Sequence, residues 1–201
     1  MCMMLSLPAA IGQVQRVKQT EVFHLLRNGK KIGEVTTTRV VSGNEITYSL
    51  QTKVQVKILL AINVIIDYQN VYDNTNTLSI SNYVQEVNGL RNKDTQITSH
   101  KGSYLVLNHG NQVDKISHPI SFTTLRLYFD EPRKTMEIFS ENQMKNVLIK
   151  KVNANSYELT QSNGRKASYQ YEEGHLARLE SSSKYGTIAI VNQKHYQNGT
   201  Y

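Results

Sequence analysis

Cysteine is almost absent from this chain: the 201 residues include a single one, Cys2. One thiol excludes an internal disulfide. Its place in an uncharged N-terminal run leaves residues 13–201 with no thiolate metal ligand and no thiol nucleophile. Proline is scarce as well, with three residues against eleven glycines, so neither a collagen-like nor a disordered composition fits. No apolar run approaches the roughly 20 residues that cross a bilayer as a helix. The longest after the N-terminus, Ile58 to Ile66, is interrupted by Asn63. Also missing are a Gly-x-Ser-x-Gly elbow, a phosphate-binding glycine loop and a dinucleotide-binding glycine pattern. The six histidines, at 24, 100, 109, 118, 175 and 195, never stand as His-x-His or His-x-x-x-His. Isolated polar histidines of strands and turns are the expectation, with no metal and no cofactor.

What the chain does have is alternation. Ile46, Tyr48, Leu50, Thr52, Val54, Val56 and Ile58 place one face of a long strand against a core, while Thr47, Ser49, Gln51, Lys53, Gln55 and Lys57 face away. At about 3.3 Å per residue, Glu45 to Ile58 spans roughly 45 Å, and a strand of that length must curve. Turn signals recur along the rest: Asn28-Gly29, Ser42-Gly43, Asn88-Gly89, Lys101-Gly102, His109-Gly110 and Glu173-Gly174. Together they predict a mainly β protein, a single curved antiparallel meander, half-barrel or sandwich, with one short helix. The helix is expected from Ile120 to Phe129, where Phe122, Leu125 and Phe129 fall at helical spacing, Ser121 stands at the N-cap and Pro132 stops continuation. It divides a longer N-terminal sheet from a C-terminal meander.

Met1 to Gly12 carry no charge and end in Ala10-Ile11-Gly12, the small-x-small pattern of a leader cleavage site. The expectation is a signal-peptide remnant over 1–12, a mature start at Gln13, one β domain over 13–201, and export to the periplasm or cell envelope. The formal charge of +7 includes the pairs Lys30-Lys31, Arg133-Lys134, Lys150-Lys151 and Arg165-Lys166 beside turns or strand ends. These read as a solvated rim that protects strand edges. No basic groove interleaved with aromatics suggests nucleic acid. The acidic doublets Asp130-Glu131 and Glu172-Glu173 lie beside turns and read as solvated carboxylates rather than an acid–base pair.

The stretch Leu59-Leu60-Ala61-Ile62, then Val64-Ile65-Ile66, is apolar on both faces, and such a strand needs cover on each side. The helix with Phe122, Leu125 and Phe129 is the candidate cover. Where it leaves a gap, Val64, Ile66, Phe122, Leu125 and Phe129 line a pocket for an apolar or amphipathic ligand; where it fits tightly, they are core.

Leu125-Arg126-Leu127-Tyr128-Phe129-Asp130-Glu131-Pro132, then Phe139-Ser140-Glu141, Gly164, Tyr169, Tyr171 and Gly174, together with the opening Asn28-Gly29-Lys30-Lys31-Ile32-Gly33, resemble a family of uncharacterised exported proteins found mainly in Bacteroidota. More distantly, the Gly33-containing hairpin and the meander resemble the half-barrels of periplasmic lipoprotein carriers. The resemblance implies an envelope location and no catalytic residue. The expected function is therefore non-catalytic, with a lipid or other amphipathic small molecule, or another envelope protein, as partner and no transmembrane span. The alternative is a structural or protein-interaction module with a fully packed interior.

Overall fold

The structure, a computed structural model, describes residues 16–57, 61–161, 163–183 and 186–197. The leader expected over Met1 to Gly12, and Leu59 and Leu60 of the apolar stretch, lie outside the described residues. The strands are β1 (Arg16–Arg27), β2 (Lys30–Ser42), β3 (Glu45–Lys57), β4 (Ala61–Tyr72), β5 (Leu78–Val87), β6 (Leu90–His100), β7 (Ser103–Asn108) and β8 (Asn111–Ile116). A connection over 117–135 holds a 3-10 turn at Leu125–Tyr128. After it come β9 (Met136–Ser140), β10 (Lys145–Lys151), β11 (Ser156–Thr160), β12 (Lys166–Glu172), β13 (His175–Ser183), β14 (Gly186–Asn192) and a short helix α1 (Gln193–Gln197).

Asn-Gly turns set the hairpin registers. Asn28 and Gly29 take φ of 48° and 76°, and Asn88 and Gly89 take 52° and 79°, the doubly left-handed geometry that matches the twist of antiparallel neighbours. All fourteen strands join one antiparallel sheet in the order β8-β7-β6-β5-β4-β3-β2-β1-β14-β13-β12-β11-β10-β9. The first strand thus lies mid-sheet. β1 pairs with β2 along its whole length and with β14 through Phe23↔Asn192 and Leu25↔Ile190. The free edges, β8 and β9, come from the middle of the chain, so the 117–135 connection has to run from one edge to the other. It carries apolar side chains into the concavity, and Leu125 and Leu127 are fully buried there. One contiguous core runs from Phe23 through Tyr48, Tyr72 and Ile97 to Ile149, Tyr157 and Leu176 and includes both leucines. A smaller outer cluster of Leu26, Ala189 and Val191 forms on β1 and β14. Helix α1 packs on the same two strands, with Tyr196 edge-on to His24 at 4.7 Å.

Several expectations change. The helix expected over Ile120 to Phe129 is a four-residue 3-10 turn with Thr124 at its N-cap, and Ser121 does not cap it: its carbonyl accepts a hydrogen bond from Arg126 Nη1 at 2.7 Å. Buried surroundings on both sides of the turn, at Leu125 and Leu127, replace the single apolar face that helical spacing implies. The connection does not separate two sheets, because β14 pairs with β1. Cover on both faces of the 64–66 stretch is also absent: Val64 and Ile66 point inward and are half-buried, whereas Ile65 points outward and is 39% exposed.

Candidate functional site

The two ends of the concavity differ. At one end the connection is tied down by charged and aromatic groups. Arg126 donates through Nε and Nη2 to Asp130 Oδ2, each at 2.9 Å, and through Nη1 to Asn76 Oδ1 at 2.8 Å. Its guanidinium lies 4.8 Å from the Phe122 ring centroid, 5.2 Å from that of Tyr72 and 5.6 Å from that of Tyr48, a stack that suits a planar cation. Asp130 also accepts from Arg39 Nη1 at 3.3 Å and from the Tyr48 hydroxyl at 3.2 Å. Phe129 leans on Tyr48 with centroids 5.3 Å apart. Deeper in, Glu141 of the β9–β10 turn is fully buried. It accepts from Asn70 Nδ2 at 2.6 Å, Thr124 Oγ1 at 2.6 Å and Thr124 N at 3.2 Å. Burial outweighs these donors and pushes its carboxyl up to about 8. Thr123 accepts from Asn70 Nδ2 and the Tyr72 hydroxyl, and its backbone bridges Phe139, which covers part of the β9 edge.

The other end is apolar and less covered. Val64, Val54, Gly33, Leu25, Ile190, Leu179, Tyr169 and Tyr157 form one unbroken cross-strand row on the inner face. Val54, Val64 and Leu179 in this row are half-buried, as are Ile32, Ile66 and Ile188 beside it.

The sequence-derived candidates therefore separate. Phe122, Leu125 and Phe129 belong to the tied end. Val64 and Ile66 belong to the open end: Phe129 meets Tyr48, whose partner across the strand pair is Asn70, four residues along β4 from Ile66. Clefts of about 430 Å³ on the outer face of β2 to β5, 370 Å³ between the β8 and β9 edges, 330 Å³ beside β1 and α1, and 460 Å³ on β10 have none of these five residues in their linings. The acidic doublets are not simply solvated: beside Asp130, held by Arg126, Arg39 and Tyr48, Glu131 accepts from the Tyr157 hydroxyl at 2.6 Å, and Glu172 meets His195 Nδ1 at 3.0 Å. Among the described residues no group of three His, Cys, Asp or Glu side chains converges as a metal site would require. No helix among them is long and apolar enough to cross a membrane.

Asn70, Thr123, Arg126 and Glu141 escape a sequence reading. Glu141 stands in Ser140-Glu141-Asn142, which looks like any solvated turn. Arg126 alone carries a signal that could have found it: it is flanked by Leu125 and Leu127 in an otherwise apolar segment, where an arginine needs a buried partner.

The model of one family matches residues 23–193, nearly all of the described sheet. The chain belongs to the family described as a domain of unknown function, DUF6134. No curated protein matches it. Among solved structures, it is similar to a crystal structure of a beta-barrel-like protein of another domain of unknown function, DUF1849, from Brucella abortus. The TM-score is 0.55 at 8% identity, over 89% of this chain and 95% of that one. At that identity the likeness is one of fold, and it agrees with an unclosed, barrel-like sheet.

Proposed function

We propose that this member of the family is a non-catalytic protein of the periplasm or cell envelope that holds an apolar or amphipathic molecule at the open end of its curved sheet. The observation that carries this reading is the contrast between the two ends. Leu125 and Leu127 are fully buried and Phe129 is 5% exposed, with Phe122 and Tyr128 half-buried beside them, whereas at the open end Val54, Val64, Ile66, Leu179 and Ile188 all keep part of their surface in water around the buried Leu25 and Ile190. Apolar surface costs about 25 cal/mol per Å² left in water, so an apolar chain laid along this row gains by covering it. Phe122, Leu125 and Phe129 then act as packing, with Val64 and Ile66 as the contacts to ligand. The ionisable groups of the tied end support a non-catalytic role, because Asp130 is held by two arginines and a tyrosine, and Glu141 by Asn70 and Thr124. Export rests on the uncharged N-terminal run.

Thermal unfolding with monomeric lysophosphatidylcholine tests the reading. The melting temperature of the wild type rises with lipid concentration, since a ligand of the native state alone shifts the folding equilibrium. Val64→Asn removes the response. Phe129→Ala keeps the response yet loses the roughly 3–5 kcal/mol expected of a packed core aromatic. A flat wild-type response supports the second reading, a structural or protein-interaction module, which the complete burial of Leu125 and Leu127 favours.

A further inference from the structure

On the inner face of β2 to β6 the side chains line up in cross-strand rows, and exposure falls from the open end inward. The rim row is Gly33, Val54, Val64 and Val87, each half-buried. In the row behind it Val35 and Thr52 are buried, Ile66 and Gln85 are half-buried, and Lys93 is exposed. The third row, Thr37, Leu50, Tyr68, Tyr83 and Thr95, is buried throughout. At about 3.3 Å per residue, Tyr68 lies roughly 13 Å along β4 from Val64. A chain laid on the rim row therefore leads to this tyrosine.

Two hydroxyls of the third row, Thr37 Oγ1 and Tyr68 Oη, have no hydrogen-bond partner among the described residues, although the residues are only 0% and 9% exposed. A hydroxyl buried in this way costs stability, because its bonds to water are lost and none replaces them. Packing alone would be served as well by valine and phenylalanine. Tyr83, which meets the Tyr68 ring edge-on with centroids 5.3 Å apart, is satisfied: it donates to Gln85 Oε1 at 3.2 Å, in the row nearer the rim. The charged groups around the row are engaged elsewhere. Glu21, across from Thr37, meets Asn192 and Lys194; Arg39 meets Asp130; Glu141 is held by Asn70 and Thr124; and Lys93 donates to Asn142 Oδ1. A ligand oxygen beside Thr37 and Tyr68 thus meets neutral partners. That suits a hydroxyl or carbonyl, and not a carboxylate or phosphate, whose burial needs a paired cation.

We propose that Tyr68 and Thr37 anchor the uncharged oxygens of a neutral lipid of the monoacylglycerol class, whose acyl chain runs outward past Ile66 and Val64 to the rim. Such anchoring rests on the ligand reading above and gives that ligand its polar end. Calorimetric titration of the full chain with monomeric monolauroylglycerol and with laurate, which share one acyl chain, tests it. The wild type binds the monoacylglycerol at least about tenfold more tightly than laurate. Tyr68→Phe and Thr37→Val each weaken monoacylglycerol binding about fivefold or more, and leave laurate binding within about twofold of the wild type. Without ligand neither variant melts below the wild type, and Tyr68→Phe melts about 2–4 °C higher, since it removes a hydroxyl buried without a partner. A ligand-free Tyr68→Phe that melts lower than the wild type would mean that the hydroxyl is satisfied within the fold, and it overturns the anchor. Equal affinity for the two lipids, or monoacylglycerol binding unchanged in Tyr68→Phe, also overturns the anchor and leaves the apolar pocket standing. No binding of either lipid, together with a flat lysophosphatidylcholine melting response, overturns pocket and anchor alike.

Discussion

Glu141 is held by hydrogen-bond donors from two directions, yet it sits where a charge is expensive. Asn70 and both polar groups of Thr124 favour the carboxylate, and complete burial favours the acid; burial prevails and raises the carboxyl from its ordinary value near 4.5 to about 8. Between those two values the folded chain binds more protons at this site than the unfolded chain. Stability therefore falls as pH rises through that window and levels off above about 8, by roughly 1.4 kcal/mol per pH unit at most. Glu141→Gln cannot ionise, so its urea-unfolding free energy should stay flat relative to the wild type across the same window. Parallel pH profiles for the two proteins would show that Glu141 titrates normally. The consequence reaches the connection as a whole, because Glu141 and Asn70 together hold Thr123 and Thr124, the residues that lead into the 3-10 turn.

At the scale of elements, the junction of β2 and β3 depends on a missing side chain. A Cβ on Gly33 would stand 2.5 Å from Lys53 O and 3.1 Å from Val54 Cα, both backbone atoms that cannot swing aside. Gly33→Ala should cost about 1–3 kcal/mol as an overpacked site. Thr36→Ala, on the exposed outer face of the same strand, should stay within about 0.5 kcal/mol. Equal urea midpoints would mean the two strands are further apart at Gly33 than described. Most strands were legible beforehand, for they carry one buried and one solvated face: β12 alternates strictly, with Ala167, Tyr169 and Tyr171 buried and their neighbours exposed. β8 was not legible. Its first five residues are all exposed, so this edge strand lacks the alternation that betrays the others, and only pairing with β7 makes it a strand. The 3-10 turn misled for a related reason. Helical spacing of Phe122, Leu125 and Phe129 reports one buried face, but a segment threaded through the concavity is surrounded, and Leu127 is as buried as Leu125.

For the whole molecule, the decisive contact lies between the most distant parts of the chain. Hairpin signals reveal neighbours joined by short turns, and they cannot reveal that β14 returns to β1, since that pairing depends on how far the intervening strands have curved. Its outer residues give no period-two signal either: His24, Leu25 and Leu26 are all buried, Leu25 inward and the other two on the face that α1 packs against. The separation has a kinetic meaning. Closing a hairpin such as β2–β3 costs little chain entropy, whereas Phe23↔Asn192 closes most of the chain at once. Sheets dominated by such distant pairings fold in about milliseconds to seconds. Local hairpins should form before the β1–β14 seam, leaving that seam absent from the transition state. Leu50→Ala, inside the β2–β3–β4 unit, should then chiefly slow folding. Val191→Ala, at 1% exposure on β14, should chiefly speed unfolding, since a lost contact that forms late appears in the unfolding limb. Chevron plots of the two variants check this, provided each loses more than about 0.6 kcal/mol. A folding limb depressed as much by Val191→Ala as by Leu50→Ala would place the β1–β14 seam in the nucleus and reverse the order of assembly.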